Sequence, residues 1–315
     1  MVKILTDSSC DLSPARCEEL GVEMLPITVN FGGESFRAHL DISNEQFYEK
    51  LAAASELPKT AQITPAFFQE KFQAYQEAGD DVVCLFISSQ MSGTLQSAKV
   101  AKNLVGAENI YLPDTLNVTF ALGLLVEEAA KMRDRGLSAG EIAQEVEALV
   151  PRVRLWALID DLKYLKMGGR LSATSALVAS ILGICPIITL ENGLVEVVGK
   201  ARGKKAAFKF IRGMVEKEPI SSDFSVTVGH AAVPKTRDDF LERRAEKAGG
   251  PQTGHWQHCR HSHRPWGLRS GLHPQVSRRW RAGLFLLALL LALGLLLALQ
   301  PPCLILKRTG FYCTG

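Results

Sequence analysis

The chain has 315 residues, room for one large domain or two of ordinary size, and 47% of them are hydrophobic against 22% charged. Its net charge of +3 hides a split: nine of the 36 basic residues and none of the 33 acids follow Glu246, so residues 1–246 carry 27 basic residues against 33 acids, a net of −6. That balance excludes a general attraction to nucleic acid in the body of the chain, and Cys10, Cys17, Cys84 and Cys185, scattered without CxxC spacing, point to free thiols in a reducing, cytoplasmic compartment.

Met1-Val2-Lys3 runs straight into an apolar strand, Val2–Thr6, so no signal peptide is expected. Asp7-Ser8-Ser9 stands at the end of that strand. Val22–Val29 reads as a second extended run, with Gly32-Gly33 as the turn after it. Ser43-Asn44 caps a helix running through Ala54, and Thr64-Pro65 opens another with proline at its first position. Asp81–Ser88 is an apolar run bounded by polar residues, which predicts a strand buried on both faces. A helix from Ser92 to Leu104 follows, then a strand near Ile110–Leu112 and a long helix from Asn117 to Arg135. Strands alternating with helices predict a mostly parallel α/β sheet.

A second unit starts near Arg154, with a strand at Leu155–Ile159 and a helix through Tyr164. Lys166-Met167-Gly168-Gly169-Arg170 reads as a glycine break before a small-residue apolar helix that ends at Leu182. Pro186–Leu190 and Leu194–Val198 flank Glu191-Asn192-Gly193, the strongest short hairpin signal in the chain. A helix near Ala206–Val215, a strand at Phe224–Val228 and an amphipathic helix over Pro234–Glu246 complete the unit. The organisation this predicts is an α/β domain over 1–153, a second and incomplete α/β domain over 154–250, and a tail over 251–315.

The best candidate for chemistry is Ser88-Ser89-Gln90-Met91-Ser92-Gly93-Thr94, where a buried strand meets a helix N-terminus. Free N–H groups and the helix dipole favour an anion there, and the Ser92 and Thr94 hydroxyls add donors. The competing reading is that Ser92 only caps the helix. Neither GxxxxGK[ST] nor GxGxxG is present, so a nucleoside triphosphate or dinucleotide is not indicated. Thr60-Ala61-Gln62 by itself reads as a cap or turn, the loop Arg170 as a solvated charge, and His230 as structural. Residues 1–246 show no Ser/His/Asp set, paired carboxylates or metal-ligand spacing. They describe an anion binder without catalytic machinery. The alternative is a phosphotransferase or hydrolase working from the Ser92 helix terminus, which would need a base or metal ligands nearby.

Together these pieces resemble the DegV family of bacterial lipid-binding proteins. The matching stretches are Ile4–Ser9, Lys59-Thr60-Ala61-Gln62, Ile87–Ala98, Leu162–Leu171 and Pro186–Gly193, in an order and spacing that hold to the region of Glu246. The resemblance implies a two-domain α/β fold, with a mostly parallel sheet in the N-terminal domain and a mixed sheet in the C-terminal one. It implies a long-chain fatty acid in a tunnel, its carboxylate near the domain junction. Some members present that carboxylate to a separate fatty acid kinase subunit, which makes an acyl phosphate from ATP; the protein is then a carrier and not an enzyme. No cofactor, metal or nucleic acid is implied, and no membrane for residues 1–250. Thr60 corresponds to the threonine of the family's Thr-Ser-Gln-Pro motif, with Ala61 and Ile63 in place of its Ser and Pro. Ser92, with Gly93 and Thr94, corresponds to the carboxylate-binding Ser-Gly-Thr, and Arg170 to the arginine of Gly-Gly-Arg.

The family's C-terminal Gly-Thr-His-x-Gly-Pro-Gly is absent. In its place residues 252–275 hold five of the seven histidines, two of the four tryptophans and no acid. Advancing plausible codons for this stretch by one nucleotide turns every His (CAY) into Ile or Thr, and His-Trp-Gln forces a Gly. The constraints from residues 255–275 admit TGSTVGTHIGPGAFGLAFIHK, which contains the missing motif, and a stop follows soon after. The tail 251–315 therefore reads as out of frame, with the shift somewhere in 247–254. His255, His258, Cys259, His261 and His263 lack the regular ligand pairs of a zinc site. Ala282–Leu299, 18 uncharged residues behind Arg278, Arg279 and Arg281, is near the lower limit for a membrane span. It also has the composition of GC-rich sequence read past a gene's end, the reading taken here. Losing an interior strand exposes ladder groups, a larger loss than one histidine hydrogen bond at about 0.5–3 kcal/mol, in a fold holding only about 5–15 kcal/mol in all. The 315-residue chain is expected to fold poorly past residue 247 and to take up acyl chains weakly, and a version with the frame restored near codon 250 to recover both; melting curves and fatty-acid uptake of the two versions check this.

Overall fold

The computed structural model describes residues 1–159, 162–176, 183–217, 226–229, 256–258 and 304–308. β1 (Val2–Asp7), a 3-10 turn (Ser8–Cys10), α1 (Pro14–Glu19) and β2 (Val22–Leu25) open the chain, followed by β3 (Thr28–Phe31), β4 (Glu34–Arg37), α2 (Asn44–Ala53) and β5 (Lys59–Ala61). Then come α3 (Pro65–Ala78), β6 (Asp81–Leu85), α4 (Thr94–Val105), β7 (Ile110–Tyr111), α5 (Thr119–Asp134) and α6 (Ala139–Leu149). The rest comprises β8 (Val153–Leu158), α7 (Lys163–Gly168), α8 (Ala173–Ala176), β9 (Ile184–Glu191), β10 (Leu194–Arg202), α9 (Gly203–Lys217), β11 (Val226–Gly229), β12 (Trp256–His258) and β13 (Leu304–Arg308).

The first sheet runs β2-β1-β6-β7, and every pairing in it is parallel. Helices cover both faces, which is why β6 is apolar without alternation. On one face Leu5, Val82 and Cys84 pack on Phe68 and Phe72 of α3 and Leu95 and Ala98 of α4. On the other, Ile4, Val83 and Leu85 pack on Leu122 and Val126 of α5 and Ile142 and Val146 of α6. The caps are those the sequence suggests. Thr64 accepts the Phe67 amide with Pro65 at the first helical position of α3, and Ser43 forms a capping box with Gln46 on α2.

Three differences from the sequence reading have local causes. The run Val22–Val29 is split at Pro26-Ile27, so β2 joins the parallel sheet while β3 pairs antiparallel with β4 and β5 in a separate small sheet. Thr60 therefore lies on a strand, opposite Val29, and not in a simple turn. The helix read as ending at Tyr164 instead starts at Lys163 and runs to Gly168, and only Gly169, left-handed at φ 69°, stops it.

The second sheet has the order β10-β9-β8-β13-β11-β12 and is mixed: β11 and β12 run parallel, the other pairs antiparallel. Asn192 and Gly193, at φ 48° and 78°, make the tight β9–β10 turn that Asn-Gly demands. One face, with Leu155, Ala157 and Ile188, packs against Ile87, Met91 and Phe120 of the first unit. The other, with Trp156, Leu158 and Ile187, is covered by Phe208 and Ile211 of α9. Two segments of the 251–315 tail enter this sheet: β13 pairs with both β8 and β11, and β12 adds beyond β11. The expected helix over 234–246, His230, residues 177–182 and the apolar run 282–299 lie outside the described residues. Among the described residues no helix is long and apolar enough to cross a membrane.

Phe72 is fully buried among Leu5, Phe68 and Phe86, whereas Phe67 on the same helix is 40% exposed. Phe72→Ala is expected to cost about 3–5 kcal/mol, seen as a lower urea midpoint at unchanged m-value, and Phe67→Ala about 0.5 kcal/mol or less.

Candidate functional site

The C-terminal ends of β1 and β6 are tied together before the site begins. The buried Asp7 carboxylate accepts the Ile87 amide at 2.8 Å through one oxygen and the Ser9 amide at 2.8 Å through the other. Ser8 Oγ beside it accepts the Ile27 amide at 3.0 Å. Burial raises the Asp7 carboxyl above its ordinary range, against the lowering by these hydrogen bonds. Asp11, whose Oδ2 is buried although the residue as a whole is half-buried, is pushed up to about 8, by burial first and by the charge of Asp7 second.

Past Ile87 the chain turns sharply. The Met91 and Ser92 amides both donate to the Ser88 carbonyl, at 3.0 and 3.1 Å, and α4 starts two residues later. Gly93, not Ser92, is the N-cap residue of α4, and no side chain caps the helix. Ser92 Oγ accepts the Thr94 amide at 3.3 Å and lies 3.0 Å from Thr94 Oγ1. Two hydroxyls thus sit side by side at the positive end of a 12-residue helix, an arrangement that favours an anion.

Two further segments converge on this turn. A Cβ added at Gly93 would stand 1.9 Å from Gln62 Oε1, so the Gln62 side chain lies directly over the glycine. Its Nε2 donates to Ser97 Oγ at 3.1 Å, one turn into α4. The strand that carries Thr60 is joined to the turn in this way, and Gln62 is the contact that sequence reading passed over. From the second unit, Arg170 follows the left-handed Gly169 and donates through Nε to the Met91 carbonyl at 3.2 Å, and through Nη1 to the Gly168 carbonyl at 2.5 Å. The reading of Arg170 as a solvated loop charge is corrected: it is half-buried, anchored next to Ser92.

A separate cavity of about 570 Å³ opens beyond the β9–β10 turn, with Trp156, Val198 and Met214 in its wall. Asp114, Glu147 and Glu191 line it against Arg154, so its charge disfavours an anionic head group. Among the described residues no cluster of three His, Cys, Asp or Glu side chains could hold a metal.

The family model for DegV, described as an uncharacterised protein family, matches residues 1–253. The chain belongs to the DegV family. A DegV domain-containing protein of Clostridium acetobutylicum is 35% identical over 240 residues, 76% of this chain and 85% of the relative. The fold is similar to that of DegV-type structures. A stearic acid-binding protein from Eubacterium ventriosum superposes with a TM-score of 0.75 at 24% identity, over 98% of both chains. A Thermotoga maritima protein with fatty acid binding function gives 0.65 at 27% identity, over 78% of this chain and 87% of its own. The fatty acid kinase B3 protein of Streptococcus pneumoniae, loaded with linoleic acid, gives 0.73 at 20% identity, over 98% and 100%.

The raised carboxyls have a consequence for stability. An acid whose folded value exceeds its unfolded one, about 3.9 for Asp, binds a proton in the folded state that the unfolded chain has lost, so stability falls as pH rises between the two values. For Asp11 that window runs from the unfolded value up to about 8. Stability from urea titrations is expected to fall between pH 5 and pH 8, by at most about 1.4 kcal/mol per pH unit from this group, and Asp11→Asn to flatten the slope.

Proposed function

We propose that this chain is a cytoplasmic carrier that binds a long-chain fatty acid and presents its carboxylate to a partner fatty acid kinase subunit, which forms the acyl phosphate. In this reading Ser92, Gly93 and Thr94 at the start of α4 take the carboxylate, Arg170 supplies the countercharge, and Thr60 completes the site from the neighbouring strand. The observation that carries it is the meeting of Arg170 from the second unit with the Ser92–Thr94 turn of the first, through the Met91 carbonyl. Proteins of similar fold, one a stearic acid-binding protein and one a fatty acid kinase protein loaded with linoleic acid, support the ligand class and the partner. The two units correspond in this reading to domains over 1–153 and 154–250. The family match ends at residue 253, inside the window 247–254 where the codon reading puts a shift of frame, which supports reading 251–315 as out of frame.

A carrier needs to hold a carboxylate without reacting with it, and the paired hydroxyls at the start of α4 suit that. Purified protein, denatured and extracted, is expected to yield a long-chain fatty acid by mass spectrometry. Ser92→Ala and Arg170→Gln are each expected to weaken fatty-acid binding by about 10- to 100-fold, the loss of one hydrogen bond to a charged group. ATP with this protein alone is expected to give no acyl phosphate; its formation would favour a phosphotransferase acting at Ser92.

A further inference from the structure

Ser88 is fully buried and opens the turn that leads to Ser92 and Thr94. Its Oγ donates to the Gly193 carbonyl at 2.8 Å, across from one unit to the other, and accepts the Gln90 amide at 3.2 Å. Gly193 is the left-handed tip of the β9–β10 hairpin, and the fit there is close: a Cβ would come 2.4 Å from Ser88 Oγ and 2.9 Å from Leu116 Cδ2. Two residues on, the Val195 amide donates to the Arg170 carbonyl at 3.1 Å, and the Ser172 amide donates back to Val195 at 2.8 Å. The Arg170 guanidinium reaches Met91, whose own amide donates to the Ser88 carbonyl at 3.0 Å. The contacts close a ring: Ser88 to Gly193, along the strand to Val195, across to Arg170, over to Met91 and back to Ser88.

In that ring the backbone of Arg170 hangs from the hairpin, and the Ser88–Gly193 bond sets where the hairpin sits. We propose that Ser88 is a positioning residue for the carboxylate site: by holding the Gly193 carbonyl it fixes the hairpin that carries Arg170, and so sets the spacing between the guanidinium and the Ser92 turn. The proposal rests on the reading of Ser92 and Arg170 as that site. It predicts that Ser88 acts on the charged head of the ligand, because the ring of hydrogen bonds ends on the Arg170 guanidinium.

The test compares palmitic acid with its matched alcohol, hexadecanol, by displacement of a fluorescent acyl probe from the full chain. Ser88→Ala is expected to weaken binding of the acid about tenfold while the alcohol binds within about twofold of the parent. Gly193→Ala acts on the same bond from the other side, so the double variant is expected to be about as weak as the worse single one. Should Ser88→Ala fail to fold, Ser88→Cys, with a weaker donor of similar size, is expected to give a smaller loss of the same kind. Equal losses for acid and alcohol, or no loss for the acid, overturn the positioning role. Ser92→Ala separates the two levels. If it abolishes the preference for acid while Ser88→Ala leaves that preference intact, the positioning role alone is wrong. If Ser92→Ala leaves the preference intact, the carboxylate reading fails and the role of Ser88 fails with it.

Discussion

The buried Asp7 carboxylate is the constraint from which the site is built. It accepts the amides of Ser9 and Ile87, the residues just past the ends of two neighbouring parallel strands. Without that acceptor the ends of β1 and β6 would present unpaired amides inside a dry sheet, at a cost of about 1–3 kcal/mol each. With it, both chains leave the sheet at fixed points. The 3-10 turn and the Ser88 turn start there, and α4 is aimed so that its N-terminus opens beside the second sheet. Holding a carboxylate in this place is itself unfavourable, which is why its pKa is raised. A hydrogen-bonded carboxylate is nevertheless the group that can accept from two strand ends at once.

The Ser88–Thr94 turn lies where a general rule of open parallel sheets puts ligand sites. Ligands bind outside the carboxyl ends of the strands, where successive connections leave in different directions. Here the space is closed on one side by β5 and Gln62, and on the other by the second sheet through Arg170 and the hairpin. From the second unit Arg170 brings a positive charge to the turn. The docking of the two units and the placing of Arg170 at the Ser92 turn are therefore parts of one arrangement, because the hydrogen bonds that seat the hairpin also hold the Arg170 backbone.

Much of this was legible in the sequence where the controlling physics is local. Asn192-Gly193 could be read as a turn because few other pairs tolerate two positive φ angles in succession. Thr64-Pro65 could be read as a helix start because the cap and the missing N–H both act within one turn. The continuous apolar run of β6 announced a sheet covered twice. What was hidden depends on partners distant in the chain. Glu34–Arg37 and Lys59–Ala61 are short, exposed segments that become strands only because β3 lies between them. Taken alone, Arg170 reads as a solvated charge, and only the resemblance put it in the site, because nothing near it in sequence hints at the Met91 carbonyl, 79 residues away. The reach of Gln62 over Gly93 is hidden for the same reason.

β13 shows the converse, how little a ladder asks of sequence. Leu304–Arg308 pairs with Trp156 and its neighbours on one side and with Val228 and Gly229 on the other. A ladder needs only amides and carbonyls at the right spacing, so any extended apolar segment free of proline can serve between two strands that would otherwise keep unpaired groups. Backbone pairing by this segment is therefore no sign that its side chains belong there. A carboxylate site is different in kind, because it needs particular hydroxyls and a particular cation at hydrogen-bond distance. Sheet topology by itself therefore says nothing of which side chains a segment brings to such a site.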